Sequence, residues 1–93
     1  MMPTTTQVYE ALRYRIEIGE NGSRRYYNTD GQLHRDDGPA VEDANGSKFW
    51  YQYGQLHRTD GPAIMLPDGH KWWYLNDKKL TEDVFNQRVE LAE

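Results

Sequence analysis

One stretch of this chain occurs twice in nearly the same words. Gly31-Gln32-Leu33-His34-Arg35 returns 23 residues later as Gly54-Gln55-Leu56-His57-Arg58. Asp37-Gly38-Pro39-Ala40 returns at the same offset as Asp60-Gly61-Pro62-Ala63. Asn45-Gly46-Ser47-Lys48-Phe49-Trp50-Tyr51 matches Asp68-Gly69-His70-Lys71-Trp72-Trp73-Tyr74, and a copy starting at Asn21 and ending at Tyr27 lies upstream with an offset of 24. Leu80 reads as the end of a truncated last copy, in the column of Leu33 and Leu56. Such self-similarity constrains the fold more than any single motif, because each unit must bury its apolar face against the next.

Each unit reads as a β-hairpin. Six of the eight Gly follow Asn or Asp, at positions 22, 31, 38, 46, 61 and 69. Asn-Gly and Asp-Gly accept positive φ at both turn positions, which predicts two-residue hairpin turns. Between them lie short aromatic or β-branched runs: Tyr14 to Ile18, Phe49 to Tyr53 and Trp72 to Leu75. Pro39 and Pro62 cannot donate to a ladder and belong at strand starts or edges. The predicted fold is mainly β, an antiparallel meander of repeated hairpins over residues 15–80. Residues 1–14 form a lead-in, readable as helix or strand. Residues 81–93 carry a capping helix, predicted over Glu82 to Leu91. Thr81 is its N-cap, and Glu82 and Asp83 suit the helix dipole. Val84, Phe85, Val89 and Ala92 form its apolar stripe, placed over the open end of the sheet.

Composition narrows the function classes. In 93 residues the net charge is −4, which disfavours direct grip on nucleic acid. There is no Cys, which excludes disulfides and thiolate metal sites. No run of about 18 apolar residues and no charged-then-apolar start occurs, so a cytoplasmic protein away from membranes is expected. Hydrophobic residues are only 37%, but aromatics reach 13%, and a few large rings can supply the core area.

The unit from Leu66 to Tyr74, followed by a Gly and Leu-His turn, resembles the MORN repeat over roughly Ile16 to Leu80. Leu33-His34-Arg35-Asp36-Asp37-Gly38-Pro39-Ala40 and its copy are more similar still to a MORN-like repeat of tailed-bacteriophage proteins. There the unit ends in Trp-Tyr-Leu-Asn-Gly and a short acidic helix, matched by Trp73-Tyr74-Leu75-Asn76-Asp77 and by Thr81 to Arg88. Arg35 and Arg58 depart from the MORN pattern, which has Gly after the histidine. The resemblance implies a non-enzymatic hairpin array of phage origin. It implies a binder that blocks a host factor such as a defence system, in an anti-CRISPR-like or other anti-defence role.

Candidate site residues fall in columns. Tyr26, Trp50 and Trp73 share one column and Tyr27, Tyr51 and Tyr74 the next. Alternation on a strand places one inward, as a ladder of stacked rings, and the other outward, as a contact surface. The Arg35 and Arg58 column, beside His34 and His57, either recognises phosphate or carboxylate or pins its own turn. In the second case Arg35 would pair with Asp36 or Asp37 and Arg58 with Asp60, each His donating to a backbone carbonyl. His34 and His57 stand on the order of 10 Å apart if each hairpin advances two strand spacings, too far to share a metal. Ser23 and Ser47 sit in turns where hydroxyls serve local bonds. No catalytic residue, cofactor or metal is expected. Three functions follow. An acidic surface with Glu42 and Asp43, among Glu17, Glu20, Asp36, Asp37, Glu82 and Asp83, would meet a basic groove on a host protein, for example a nucleic-acid-binding defence enzyme. Alternatively, a homo-oligomer would sequester a nucleotide immune signal, with Trp50, Trp72 or Trp73 stacking on the base and Arg35, Arg58 or Lys71 on phosphates. The third is a minor structural or assembly protein pairing through sheet edges.

Overall fold

The computed structural model describes residues 5–10 and 14–91. Strands run in chain order as β1 (Thr5–Glu10), β2 (Tyr14–Gly19), β3 (Arg24–Tyr27), β4 (Val41–Glu42), β5 (Lys48–Phe49), β6 (Tyr51–Gln52), β7 (Gln55–Leu56), β8 (Ile64–Met65), β9 (Lys71–Leu75) and β10 (Lys78–Leu80), followed by helix α1 (Glu82–Leu91). Eight of them form one sheet in the order β1-β2-β3-β4-β5-β8-β9-β10, and β6 and β7 make a separate hairpin. All pairings are antiparallel. The fold is thus mainly β with one short C-terminal helix, as the sequence predicts, and the molecule measures 49 × 30 × 17 Å. The lead-in is a strand over Thr5–Glu10; the rest of residues 1–13 lies outside the described residues.

The turns are of two kinds, and the sequence misleads about which is which. At Asn21-Gly22, Asn45-Gly46 and Asp68-Gly69 only the glycine has positive φ, near 95°. The pair Gly22 N–H to Gly19 O and Gly19 N–H to Ser23 O closes a three-residue loop, a type I turn ended by a left-handed glycine. Asp43 to Ser47 and Leu66 to His70 close in the same way. The Asn or Asp is there to accept the N–H two residues on: Asn21 Oδ1 takes Ser23 N–H at 3.1 Å and Asn45 Oδ1 takes Ser47 N–H at 2.9 Å. True two-residue turns occur at Tyr53-Gly54, between Gln52 and Gln55, and at Asn76-Asp77, between Leu75 and Lys78, with both central φ positive. The first copy has a three-residue loop here instead, closed by Asn28 and Gln32. That extra residue accounts for the 24-residue offset upstream.

Strand pairing also corrects the last copy. Tyr51 faces Leu56, but Tyr74 faces Lys79, and Leu80 lies opposite Trp73. His57 N–H bonds Trp50 O, and His34 N–H bonds Tyr26 O. Leu80 therefore takes the place of the histidines, and Lys79 that of Leu56.

The core is narrow. Tyr14, Ile16 and Tyr26 form its centre, with Tyr14 edge-on to Tyr26 at 6.0 Å, and Ile18 against them. Ala40 and Ala63 have no exposed surface. Their backbones bridge neighbouring copies, through Tyr26 N–H to Ala40 O and Ala40 N–H to Phe49 O, repeated as Trp50 to Ala63 and Ala63 to Trp72. In α1, Thr81 Oγ1 caps Val84 N–H at 3.2 Å. Phe85 is the buried residue of the helix, 3% exposed, with Val89 half-buried one turn on. Val84 is exposed, so the expected stripe is narrower than predicted; Ala92 lies outside the described residues. The helix packs on β9 and β10. No helix among the described residues is long and apolar enough to cross a membrane.

Candidate functional site

The recurring Leu-His-Arg and Asp-Gly-Pro-Ala segments build one device twice. Arg35 Cζ lies 4.0 Å over the Tyr26 ring, and Arg58 Cζ lies 3.9 Å over the Trp50 ring. Arg35 Nε donates to Asp37 at 3.2 Å and Nη1 to Pro39 O at 3.2 Å. Arg58 Nε donates to Asp60 at 2.7 Å and Nη1 to Pro62 O at 3.0 Å. Arg35 Nη1 also stands 3.6 Å from Glu42. Gly38 and Gly61 have no positive φ and end no hairpin, contrary to the sequence expectation. They leave room for these guanidinium groups: a Cβ at Gly38 would come within 3.1 Å of Arg35 Cζ, and one at Gly61 within 2.9 Å of Arg58 Cζ. The forks are thus engaged by the units' own carboxylates and carbonyls. A nucleotide phosphate would have to displace them, which argues against these arginines as phosphate holders.

The histidines do not donate to carbonyls as expected; their Nδ1 atoms accept backbone N–H groups of the following hairpin turn. His34 Nδ1 takes Tyr53 N–H and His57 Nδ1 takes Asn76 N–H, both at 3.0 Å. The proton of His34 then sits on Nε2, which donates to Asp36 Oδ1 at 2.9 Å. The Tyr14 hydroxyl donates to Asp36 Oδ2 at 3.3 Å and accepts the Asp36 backbone N–H at 2.8 Å. Burial lowers the His57 pKa below its ordinary 6.5. The folded chain therefore binds the proton at lower pH than the unfolded chain. Stability is full above about pH 6.5, falls as pH drops through the lowered value, and levels off below it. Denaturation midpoints measured from about pH 7 to 5 are expected to fall. His57→Gln should flatten that part of the curve, and an unchanged slope would show that other groups carry it.

The aromatic columns are not an outward row. Tyr26 is buried, and Trp50, Trp73, Tyr27, Tyr51 and Tyr74 are all half-buried. Burial, with Asp77 nearby, raises the Tyr51 pKa. Trp72 lies between the His70 ring, stacked at 6.0 Å, and Lys79 Nζ at 5.3 Å. Tyr53 is 65% exposed, held at φ 51° in its turn and 4.4 Å from the His34 ring.

Arg35, Trp50 and Arg58 come together in an open groove of about 820 Å³. It is lined by two copies of the Arg loop, Arg35 to Pro39 and Arg58 to Asp60, together with Trp50, Gln52, Tyr53, Gln55, His57 and Asn76. Three carboxylates line it against two guanidinium groups. The carboxylates are the more exposed: the Asp36, Asp37 and Asp60 side chains are 52%, 75% and 82% accessible, whereas those of Arg35 and Arg58 are 20% and 21%. The groove surface is therefore acidic and polar around aromatic rings. Glu42 and Asp43 do not reach it. Glu42 pairs across the strand with Lys48 and Arg24, and Asp43 closes the turn to Ser47. Gln52, Tyr53, Gln55, Thr59 and Asn76 were not singled out by sequence. Tyr53 carried a signal nonetheless, since a tyrosine before Gly54 stands where a two-residue turn favours Asn or Asp. Among the described residues no cluster of three or more His, Asp or Glu is arranged to hold a metal. In comparisons with known proteins, no family model, curated protein or solved structure matches the chain.

Proposed function

We propose that this chain is a non-enzymatic binding protein that seats a basic segment of a partner protein in the groove between its two Arg loops. The observation that carries this reading is the division of labour in the groove. The arginines are turned inward onto Tyr26 and Trp50, while Asp36, Asp37, Asp60 and the Tyr53 ring face solvent. Exposed carboxylates beside an exposed tyrosine attract and then hold a Lys- or Arg-bearing surface. With the resemblance to MORN-like phage repeats, the reading becomes a phage accessory protein acting in the host cytoplasm. It would block a host protein, such as a nucleic-acid-binding defence enzyme, by covering its basic surface.

The test is capture from lysate of a bacterial host, followed by affinity measurement on the purified target. Asp37→Asn with Asp60→Asn is expected to weaken binding about tenfold or more, and raising salt from about 0.05 to 0.5 M should weaken it likewise. Tyr53→Asn should reduce affinity while leaving folding intact, because Asn tolerates positive φ better than Tyr. Affinity indifferent to both the charge changes and salt would refute the acidic-groove reading.

A further inference from the structure

The sheet has two unlike faces. Neighbouring residues on a strand point to opposite sides. Both Arg loops and α1 lie on the side of Tyr26, Trp50 and Trp73: Arg35 sits over Tyr26, Arg58 over Trp50, and Phe85 shares a cleft with Trp73. The opposite side carries the residues that flank those rings. Strand pairing draws one row straight across it, Arg25 to Val41, Val41 to Phe49, Phe49 to Ile64 and Ile64 to Trp72. Two residues beyond Arg25, Phe49 and Trp72 stand Tyr27, Tyr51 and Tyr74, with Leu33 opposite Tyr27 and Leu56 opposite Tyr51. Charges stand at the two ends of this area. Arg15 and Glu17 pair with Tyr27 and Arg25 at one end, and Lys79 lies opposite Tyr74 at the other. Val41 is buried and the other apolar residues are half-buried within the layer. Among the described residues, the segments that leave the sheet, the two Arg loops and the helix, lie on the other side. An apolar sheet face of this extent calls for a second layer.

We infer that this face pairs with the same face of a second copy of the chain, sheet on sheet. Large and small side chains alternate across it. Phe49 stands between Val41 and Ile64, and Trp72 follows Ile64. The alternation repeats every two strands, or about 10 Å. Ridges and hollows at that spacing are filled by a surface of the same spacing moved by one strand, and a second copy supplies it. A two-fold axis along the strands, between β5 and β8, makes that move. It lays Phe49 over the partner's Ile64 and Val41 over the partner's Trp72, and each contact occurs twice. β3 then lies over the partner's β10, given the order β3-β4-β5-β8-β9-β10. Tyr27 receives the partner's Lys79, a cation over a ring. Arg25 comes to the end of that strand beside the partner's Glu82, a residue that shares a cleft with Trp72 and Lys79. Arg25, Lys79 and Glu82 are all exposed in the single copy. Six strands at about 4.8 Å spacing and two rows of side chains bury on the order of 1,000 Å² in total. That is the small end of specific interfaces, so the dimer should form at micromolar concentration. The groove between the Arg loops stays on the outer side of each copy, so this inference stands apart from the binding reading.

The test is sedimentation velocity on the full chain from about 1 to 500 μM, with cross-linking to fix the arrangement. A monomer–dimer equilibrium is expected, and Phe49→Lys should raise its midpoint concentration at least about tenfold. Circular dichroism checks that this variant keeps its sheet. The cross-linking needs no change inside the apolar area. The chain has no Cys, so single cysteines report alone. Arg25→Cys mixed with Lys79→Cys should form a covalent dimer with a bismaleimide spanning about 13 Å, since stacked sheets lie about 10 Å apart. Each variant alone should not, because like positions would stand five strand spacings apart, about 24 Å. A chain that stays monomeric up to about 500 μM would overturn the inference. So would a dimer indifferent to Phe49→Lys with its sheet intact, or cross-linking of the single variants as readily as the mixture, since either places the contact elsewhere.

Discussion

Phe85→Ala is expected to destabilise the chain by about 3–5 kcal/mol, the range for emptying a buried aromatic site. Phe85 is 3% exposed and is the fully enclosed anchor of α1 among the described residues; Val89 is half-buried and Val84 exposed. A ten-residue helix has little stability of its own. Its cap at Thr81 and its acidic first turn contribute on the order of 1 kcal/mol each at most. Without the ring, α1 has no sufficient reason to stay on β9 and β10, and Trp73 loses its cover. Chemical denaturation followed by far-UV circular dichroism should therefore show a lowered midpoint and reduced helical signal before the main transition. Tryptophan emission should shift to the red as Trp73 becomes wet. Val84→Ala is the control and should change stability by less than about 0.5 kcal/mol. A Phe85→Ala cost below about 1 kcal/mol would mean that the helix is not held by this side chain.

The helix was legible in the sequence for local reasons: an N-cap, two acids and a hydrophobic residue in the first turns are all neighbours in the chain. The same holds for the antiparallel hairpin order, since the punctuation by Asn-Gly and Asp-Gly acts over a few residues. What failed was inference from a dipeptide to its backbone. Asn21, Asn45 and Asp68 use their side chains to accept an N–H, so the turn grows by one residue and only the glycine turns left-handed. Gly38 and Gly61 carry the same Asp-Gly signature for a steric reason unrelated to φ. Leu80 was placed by residue type, whereas pairing with Trp73 puts it one position over. The groove was invisible for a different reason. Its lining comes from two copies of the loop and from the intervening hairpin, and no local pattern states how two loops are brought together. The arginines of the two copies have partners that recur with them: Arg35 bonds Asp37 and Pro39 O, and Arg58 bonds Asp60 and Pro62 O.

Those partners make the second large prediction a change of sign. Gly61→Ala alone should cost about 2 kcal/mol, because the new Cβ would stand 2.9 Å from Arg58 Cζ and 3.1 Å from Nη1. The guanidinium is the far end of a flexible side chain and will move rather than the backbone. In moving it gives up its stack on Trp50, worth roughly 0.5–2 kcal/mol, and its bond to Pro62 O, worth roughly 1.5–3 kcal/mol for a charged donor, with water recovering part of both. The bond to Asp60 adds little, since that carboxylate is 82% exposed. Arg58→Ala removes the same interactions and should cost a similar amount. In that background Gly61→Ala has nothing to displace and no positive φ to oppose it, so it should become neutral or stabilise by about 0.4–1 kcal/mol through the stiffer unfolded chain. The double variant is then close in stability to Arg58→Ala, and the coupling of the two sites is about 2 kcal/mol. Gly38→Ala, with its nearest approach at 3.1 Å, should repeat the pattern with Arg35 at smaller amplitude. Additive losses in the Arg58 and Gly61 pair would mean that the glycine serves the backbone and not the arginine, and the common design of the two loops would have to be explained another way.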